Sequence, residues 1–209
     1  VGATPSQVYS TSLPLGFGDF IELSSAKGFE HLQNEPWNPM LPNDWKPGDN
    51  IFKSLSNRDM LLHHPYDSFE PVLEFIEQAA KDQKVLAIKQ TLYRTAKNSR
   101  VISSLIKAAE NGKQVTVVVE LKARFDEARN LERAEELERA GVQIIYGVKG
   151  LKTHSKVTLV VRNEGDELKR YVHFGTGNYN EITAGLYTDI SYMTCRRKYG
   201  YEAASFFNA

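Results

Sequence analysis

The sequence predicts an α/β fold, a mixed β-sheet flanked by helices, preceded by an irregular proline-rich arm over residues 1–55. Three observations carry this prediction. Between residues 68 and 146, apolar residues at helical spacing alternate with short unbroken apolar runs, in the order helix, strand, helix, strand, helix, strand. Short connections between such elements favour parallel pairing through crossovers. Beyond residue 155 the helical pattern gives way to two apolar runs separated by a turn-rich segment, which favours an antiparallel extension of the sheet.

The arm comes first. Pro5, Pro14, Pro36, Pro39, Pro42 and Pro47, with Trp37 and Trp45 among them, break any long helix or central strand. An extended segment anchored by its aromatic residues on a neighbouring domain fits this composition, and a peptide- or base-binding surface is the alternative. His63 and His64 point to opposite sides of an extended segment with no cysteine or acidic pair at ligand spacing, so no metal site is read there.

Regularity begins at Asp67-Ser68, a helix start signal. Phe69, Val72, Leu73, Ile76 and Ala79 follow on one helical face, and Val85 to Ile88 reads as a buried strand. Val101, Ile102, Leu105, Ile106 and Ala109 mark a second helix, capped by Asn98 or Ser99 and stopped at Asn111-Gly112. Val115 to Val119 is the next strand. A helix over Asp126 to Ala140, with Leu131, Ala134 and Leu137 inward and Gly141 as its stop, leads to a strand over Val142 to Tyr146. Strands Val157 to Val161 and Tyr171 to Phe174 flank the turn Asn163-Glu164-Gly165-Asp166, and a last strand covers Tyr187 to Met193. No internal repeat or low-complexity tract is present.

The chain has 209 residues, 41% hydrophobic and 25% charged, enough for one sizeable core and a small appendage. Its single cysteine, Cys195, cannot form an intramolecular disulfide and fits a reducing compartment. No apolar run reaches the roughly 18 residues of a transmembrane segment, and Val1 to Ser12 lacks a signal peptide pattern, so a cytoplasmic location is expected. Net charge is zero but unevenly spread: residues 1–83 hold 5 Lys or Arg against 12 Asp or Glu, and residues 84–170 hold 18 against 11. Much of the second excess lies on solvated helix faces. It also favours an anionic substrate.

Within the basic segment stands Gly150-Leu151-Lys152-Thr153-His154-Ser155-Lys156, followed by His173-Phe174-Gly175-Thr176-Gly177-Asn178-Tyr179-Asn180. An imidazole nitrogen can attack phosphorus, and ammonium groups on either side can hold phosphate oxygens. A hydrogen-bonded structural histidine fits the same spacing. His173 can face either the crevice near His154 or the core. Arg94 follows one strand, Arg124 follows the next, and His154 precedes a third. All three meet at one edge if the third strand runs antiparallel to the first two, where ligands bind open α/β sheets. Arginine suits bidentate phosphate recognition, and a surface salt bridge is the alternative for each.

His-x-Lys followed by Gly-x-Asn resembles the half-motif of the phospholipase D superfamily, although the aspartate usual five residues after the lysine is Val161 here. Asp59 to Phe69, Leu92-Tyr93-Arg94, Val117 to Glu127, Leu151 to Lys156, His173 to Asn180 and Leu186-Tyr187-Thr188-Asp189 together resemble the first catalytic domain of the long-chain, histidine-autophosphorylating bacterial polyphosphate kinase family. The resemblance covers about residues 50–209 and implies a phospholipase D-like domain over 56–209, the first half of a two-half site. It implies reversible transfer of the terminal phosphate of ATP to inorganic polyphosphate through a phosphohistidine on His154. Arg94 and Arg124 fall on the family's Mg²⁺ and phosphate positions; arginine being a poor metal ligand, both are read as phosphate clamps beside a Mg²⁺ carried by the substrate. Lys152 and Lys156 are expected to stabilise the transferring group, and Asn178 and Asn180 to donate hydrogen bonds.

The second half and its assisting histidine have no counterpart here, so the chain is expected to be a portion of a longer enzyme, inactive or nearly so alone. Expected partners are ATP or ADP, polyphosphate, the remaining domains and, at full length, further copies of the enzyme, with no nucleic acid. A phospholipase D-like phosphodiesterase or nuclease, and a non-catalytic polyanion-binding module, are the alternatives.

Overall fold

Two runs dominated by β-branched and other apolar residues, Val85–Leu92 (β2) and Gln114–Val119 (β3), form adjacent parallel strands, most of whose residues are buried or half-buried. The computed structural model describes residues 2–43, 45–93, 96, 98–120, 127–147 and 150–208, the side chains of 127–129 excepted. Residues 1–37 and 38–209 separate into two units. In the first, the described chain forms short 3₁₀ segments at Pro5–Gln7, Phe17–Ser25 and Glu30–Leu32, and no side chain is buried.

In the second unit the order is α1 (Ile51–Asn57), β1 (Met60–His64), α2 (Glu70–Lys81), β2, α3 (Arg100–Glu110), β3, α4 (Glu127–Arg139), β4 (Gln143–Tyr146), β5 (Lys156–Asn163), β6 (Leu168–Gly175), α5 (Glu181–Ala184), β7 (Asp189–Thr194) and α6 (Arg197–Asn208). Among the described residues seven strands form one mixed sheet in the order β1-β7-β6-β5-β2-β3-β4. Strands β2, β3 and β4 are mutually parallel, whereas β5 runs antiparallel to β2 and pairs with β6 as a hairpin.

Helices α2 and α3 pack together and against β2 and β3. Val72, Phe75, Ile76 and Ala79 of α2, and Val101, Leu105 and Ala108 of α3, face the main core. Arg100 ties the helices together through Glu70 and Glu77 at 2.7 and 2.6 Å. Helix α3 stops where Gly112 takes φ 78°, a left-handed conformation that glycine adopts without Cβ strain. A smaller cluster on the other face brings Ala203 and Phe207 of α6 against Val157, Leu159 and Val172. No described helix is long and apolar enough to cross a membrane.

Several elements differ from the sequence expectation, the short helix α5 among them. Residues 51–55, placed in the extended arm, begin helix α1: the last proline of the arm is Pro47, and Asn50 caps the helix by accepting from Lys53 N at 2.9 Å. Ile51, Phe52 and Leu55 are buried in the main core together with Trp45. Strand β1 was not expected, because only Leu62 and His64 of its five residues are buried and it is an edge strand. Nor was α6, whose interior Gly200 and few inward apolar residues weaken the helical signal.

Candidate functional site

The topology brings the C-terminal ends of β2, β3 and β6 and the start of β5 to one edge of the sheet, as antiparallel pairing of β2 with β5 requires. Gln90 pairs with Thr158, and Lys156 pairs with Gly175. His154 therefore stands beside the point where the glycine-rich segment 175–178 leaves β6.

Thr91 fixes the backbone there. Its hydroxyl donates to Ser155 O at 2.8 Å and accepts from Val157 N at 2.9 Å, pinning the peptides on both sides of Lys156. Glu120, buried at the end of β3, accepts from Thr153 N at 2.8 Å, one residue before His154. Asn130 of α4 donates to Tyr93 O and to Glu120 O, both at 2.9 Å, and so joins the ends of β2 and β3.

The His154 side chain is exposed, whereas Lys156 is buried, with 5% of its surface exposed. Lys156 Nζ lies 3.0 Å from His154 Nε2 and donates to His154 O at 2.7 Å. Tyr93 underlies the group: its ring meets the imidazole edge-on at 5.0 Å, and the ammonium groups of Lys156 and Lys152 lie 5.5 and 6.0 Å from its centroid. Burial lowers the Lys156 pKa, against the opposing pull of the Asp189 charge. The group is thus an exposed imidazole beside a partly desolvated cation.

The loop after β6 is built on Asp189. Thr176 Oγ1 donates to Asp189 Oδ1 at 2.7 Å and accepts from Ile190 N at 2.9 Å. Gly177 is required sterically, since a Cβ there would lie 2.4 Å from Asp189 Oδ2 and 3.0 Å from its Cβ. Gly177→Ala must displace the whole Asp189 side chain, and we expect a loss of about 1–3 kcal/mol of stability in urea unfolding; an unchanged midpoint would show that the loop yields freely. Asn178 carries a buried Oδ1 with no hydrogen-bond partner among the described residues. Asn180, expected to donate to phosphate, uses its side-chain oxygen to cap α5 through Ile182 N and Thr183 N at 3.0 and 3.1 Å.

Beneath the edge runs a row of buried polar side chains that crosses five strands. Thr158 Oγ1 contacts Gln90 Oε1 and Tyr179 Oη, both at 2.7 Å; Tyr179 Oη lies 2.7 Å from His173 Nδ1. His173 Nε2 lies 3.0 Å from Ser191 Oγ, which lies 2.9 Å from His64 Nε2, and His64 Nδ1 lies 2.9 Å from Asp67 O. Of the two placements open to His173, the structure gives the core. Burial depresses its pKa to about 3 and lowers that of His64, while pushing the Tyr179 hydroxyl upward.

Of the expected site residues, the structure groups His154, Lys156 and Lys152 around Tyr93 and sets the Asn178 loop opposite Lys156. Arg94 and Arg124 lie outside the described residues. Tyr93, Thr91, Glu120 and Asn130 carried no expected role. The available signal was polarity in otherwise apolar strands: Gln90 and Thr91 interrupt β2, and Glu120 follows three valines. Val161, in place of the superfamily's aspartate, packs with the cluster beneath α6. Among the described residues no three His, Cys, Asp or Glu side chains are grouped to hold a metal ion, and the lysines and tyrosine around His154 do not match the oxygen-rich ligand set of Mg²⁺.

Residues 50–209 match the family model described as "Polyphosphate kinase C-terminal domain 1". The chain is 52% identical over 205 residues to a polyphosphate kinase of Rhodopirellula baltica, covering 98% of this chain and 24% of that protein. It is 53% identical over 205 residues to one of Halalkalibacterium halodurans, covering 97% and 29%. The crystal structure of polyphosphate kinase from Porphyromonas gingivalis superposes with a TM-score of 0.78 at 33% identity, over 93% of this chain and 32% of that one. The phospholipase D family member Nuc from Salmonella typhimurium shares the fold, with a TM-score of 0.53 at 14% identity, over 72% and 89%. The chain spans about a quarter of the length of the curated relatives it matches.

Proposed function

The chain belongs to the polyphosphate kinase family, and on that premise we propose that His154 is the phosphoryl-accepting nucleophile in reversible transfer of the terminal phosphate of ATP to inorganic polyphosphate. The observation that carries this reading is the 3.0 Å approach of Lys156 Nζ to His154 Nε2 at the mouth of the sheet edge. An ammonium only donates, so the nitrogen facing it holds the lone pair and the ring proton sits on Nδ1. Attack of Nε2 on the terminal phosphorus forms an N–P bond and breaks the P–O bond to ADP, which leaves with the electron pair. The terminal oxygen of a polyphosphate then attacks phosphorus, the N–P bond breaks, and the imidazole is restored with the polymer one phosphate longer.

Phosphoryl transfer depends on positioning and electrostatic stabilisation. As the N–P bond forms, the Lys156 hydrogen bond passes from the ring nitrogen to a phosphoryl oxygen, and the incoming negative charge restores the basicity that burial removes. Lys152 adds a second cation over Tyr93. Arg94 and Arg124 clamp phosphate oxygens, the amide of Asn178 donates at the loop, and Mg²⁺ arrives with the nucleotide. The remaining domains and further copies of the enzyme complete the site.

The test is labelling with γ-labelled ATP and Mg²⁺, of this chain and of the complete gene product, followed by acid and alkali treatment. Acid-labile, alkali-stable label is the expected result, and its appearance only in the complete protein assigns this chain half a site. Absence of label from both would sink the kinase reading in favour of polyanion binding.

A further inference from the structure

At the end of the sheet opposite His154, β6 and the start of α6 border a cavity of about 320 Å³ whose walls carry Lys169, Arg170, Arg197 and Tyr201. Lys169 and Gly175, the partner of Lys156, are six strand steps apart, about 20 Å at roughly 3.3 Å per residue. The cavity is therefore distinct from the His154 site.

Its cations are held in place. A Cβ at Gly200 would come within 2.7 Å of Arg170 Cβ, so only glycine lets the Arg170 stem lie against α6. The Arg170 guanidinium then sits 4.8 Å from the Tyr201 ring centroid, and that of Arg197 sits 5.5 Å from it. Arg197 Nε and Nη2 also donate to Tyr201 Oη at 3.3 and 3.2 Å. Tyr201 thus gathers two guanidinium groups that repel each other in isolation. Lys169 donates to Ser56 at 2.9 Å and lies 5.4 Å from the Tyr171 ring.

Among the described residues, Arg100, Arg162 and Arg196 each have a carboxylate within ion-pair distance, and Lys169, Arg170 and Arg197 have none. Glu167 also lines the cavity, leaving three positive charges against one negative. Arg197 opens a twelve-residue helix, whose positive end adds to the excess. Paired guanidinium forks over an aromatic face suit the oxygens of phosphate groups.

We propose that this cavity is a second anion site that binds a multivalent oligophosphate independently of His154. The assignment stands whether or not His154 is phosphorylated. It is tested by titrating the isotopically labelled 209-residue chain with tripolyphosphate and following backbone amides by NMR. Saturable shifts at Lys169–Arg170 and Arg197–Tyr201 are expected, and they persist in His154→Ala. The pair Arg170→Gln/Arg197→Gln weakens this binding at least about tenfold, and sulfate at equal ionic strength binds at least about tenfold more weakly than tripolyphosphate. Should the double variant unfold, Arg197→Gln alone, at an exposed position, carries the test with a loss of about threefold or more. Shifts confined to the His154 edge, unchanged affinity in the folded variants, or sulfate binding as tightly would each overturn the assignment.

Discussion

Replacing His154 by alanine is expected to remove all acid-labile phosphate from the labelled protein, and Lys156→Met to leave the nucleophile in place while slowing labelling by about 10²- to 10³-fold. The two substitutions separate two roles on adjacent atoms. In the proposed reaction His154 supplies the nitrogen that bonds to phosphorus, so no other group in its neighbourhood is expected to rescue the loss. Lys156 supplies a preorganised cation at 3.0 Å from that nitrogen, and its effect is confined to the stage at which charge develops on the phosphoryl oxygens. Methionine keeps an unbranched apolar stem at a residue that is 5% exposed, so the cost to the folded state is chiefly the lost hydrogen bond to His154 O, about 1–3 kcal/mol. Labelling rates and urea midpoints of the two variants in the complete protein give both numbers. A wild-type labelling rate in Lys156→Met would reject its electrostatic role, and persistent acid-labile label in His154→Ala would move the nucleophile elsewhere.

The parallel half of the sheet was legible because its strands and helices are written in different periods. Val85 to Leu92 and Gln114 to Val119 are short apolar runs, and the inward positions of α2 and α3 recur at three and four residues. The antiparallel hairpin of β5 and β6 was equally readable from the turn at Asn163 to Asp166. With that orientation, His154, the end of β2 and the end of β3 had to share an edge. Strand β1 and helix α6 escaped notice because each buries only part of itself, leaving Leu61 and Phe206 exposed and blurring the pattern.

The buried polar row was illegible for a different reason. Gln90, Thr158, His173, Ser191 and His64 are scattered over some 130 residues of chain, and each alone looks like a tolerated polar substitution in a strand. Only strand order and register make them neighbours. Their partners also determine protonation. Asp67 O only accepts, so His64 Nδ1 carries a proton; with His64 neutral, Nε2 accepts from Ser191, whose oxygen then accepts from His173 Nε2. His173 Nδ1 is left to accept from Tyr179. Both rings are neutral in this arrangement, and neither can gain a proton without reversing a bond to a buried hydroxyl.

Acidification is therefore expected to destabilise the fold well above the range in which ordinary carboxylates titrate. The His173 pKa in the folded protein is about 3, below the roughly 6.5 of an exposed histidine. Between these values the unfolded chain binds the proton that the folded chain refuses. Stability is thus fully present above about pH 6.5 and falls as pH drops toward 3, by at most about 1.4 kcal/mol per unit for this one group. From pH 7 to pH 5 the loss is about 2 kcal/mol from His173 alone. His64 adds to it in the same direction, since burial lowers its pKa against the weaker opposing effects of Asp67 and Asp189. Urea unfolding at a series of pH values between 5 and 7 measures this slope. His173→Gln removes the titrating ring and should flatten the slope even if it lowers stability throughout, and His64→Gln should flatten it in part. A wild-type midpoint that does not move across this window would mean that the buried row admits a proton readily, and the directional chain of hydrogen bonds from Asp67 to Tyr179 would then be wrong.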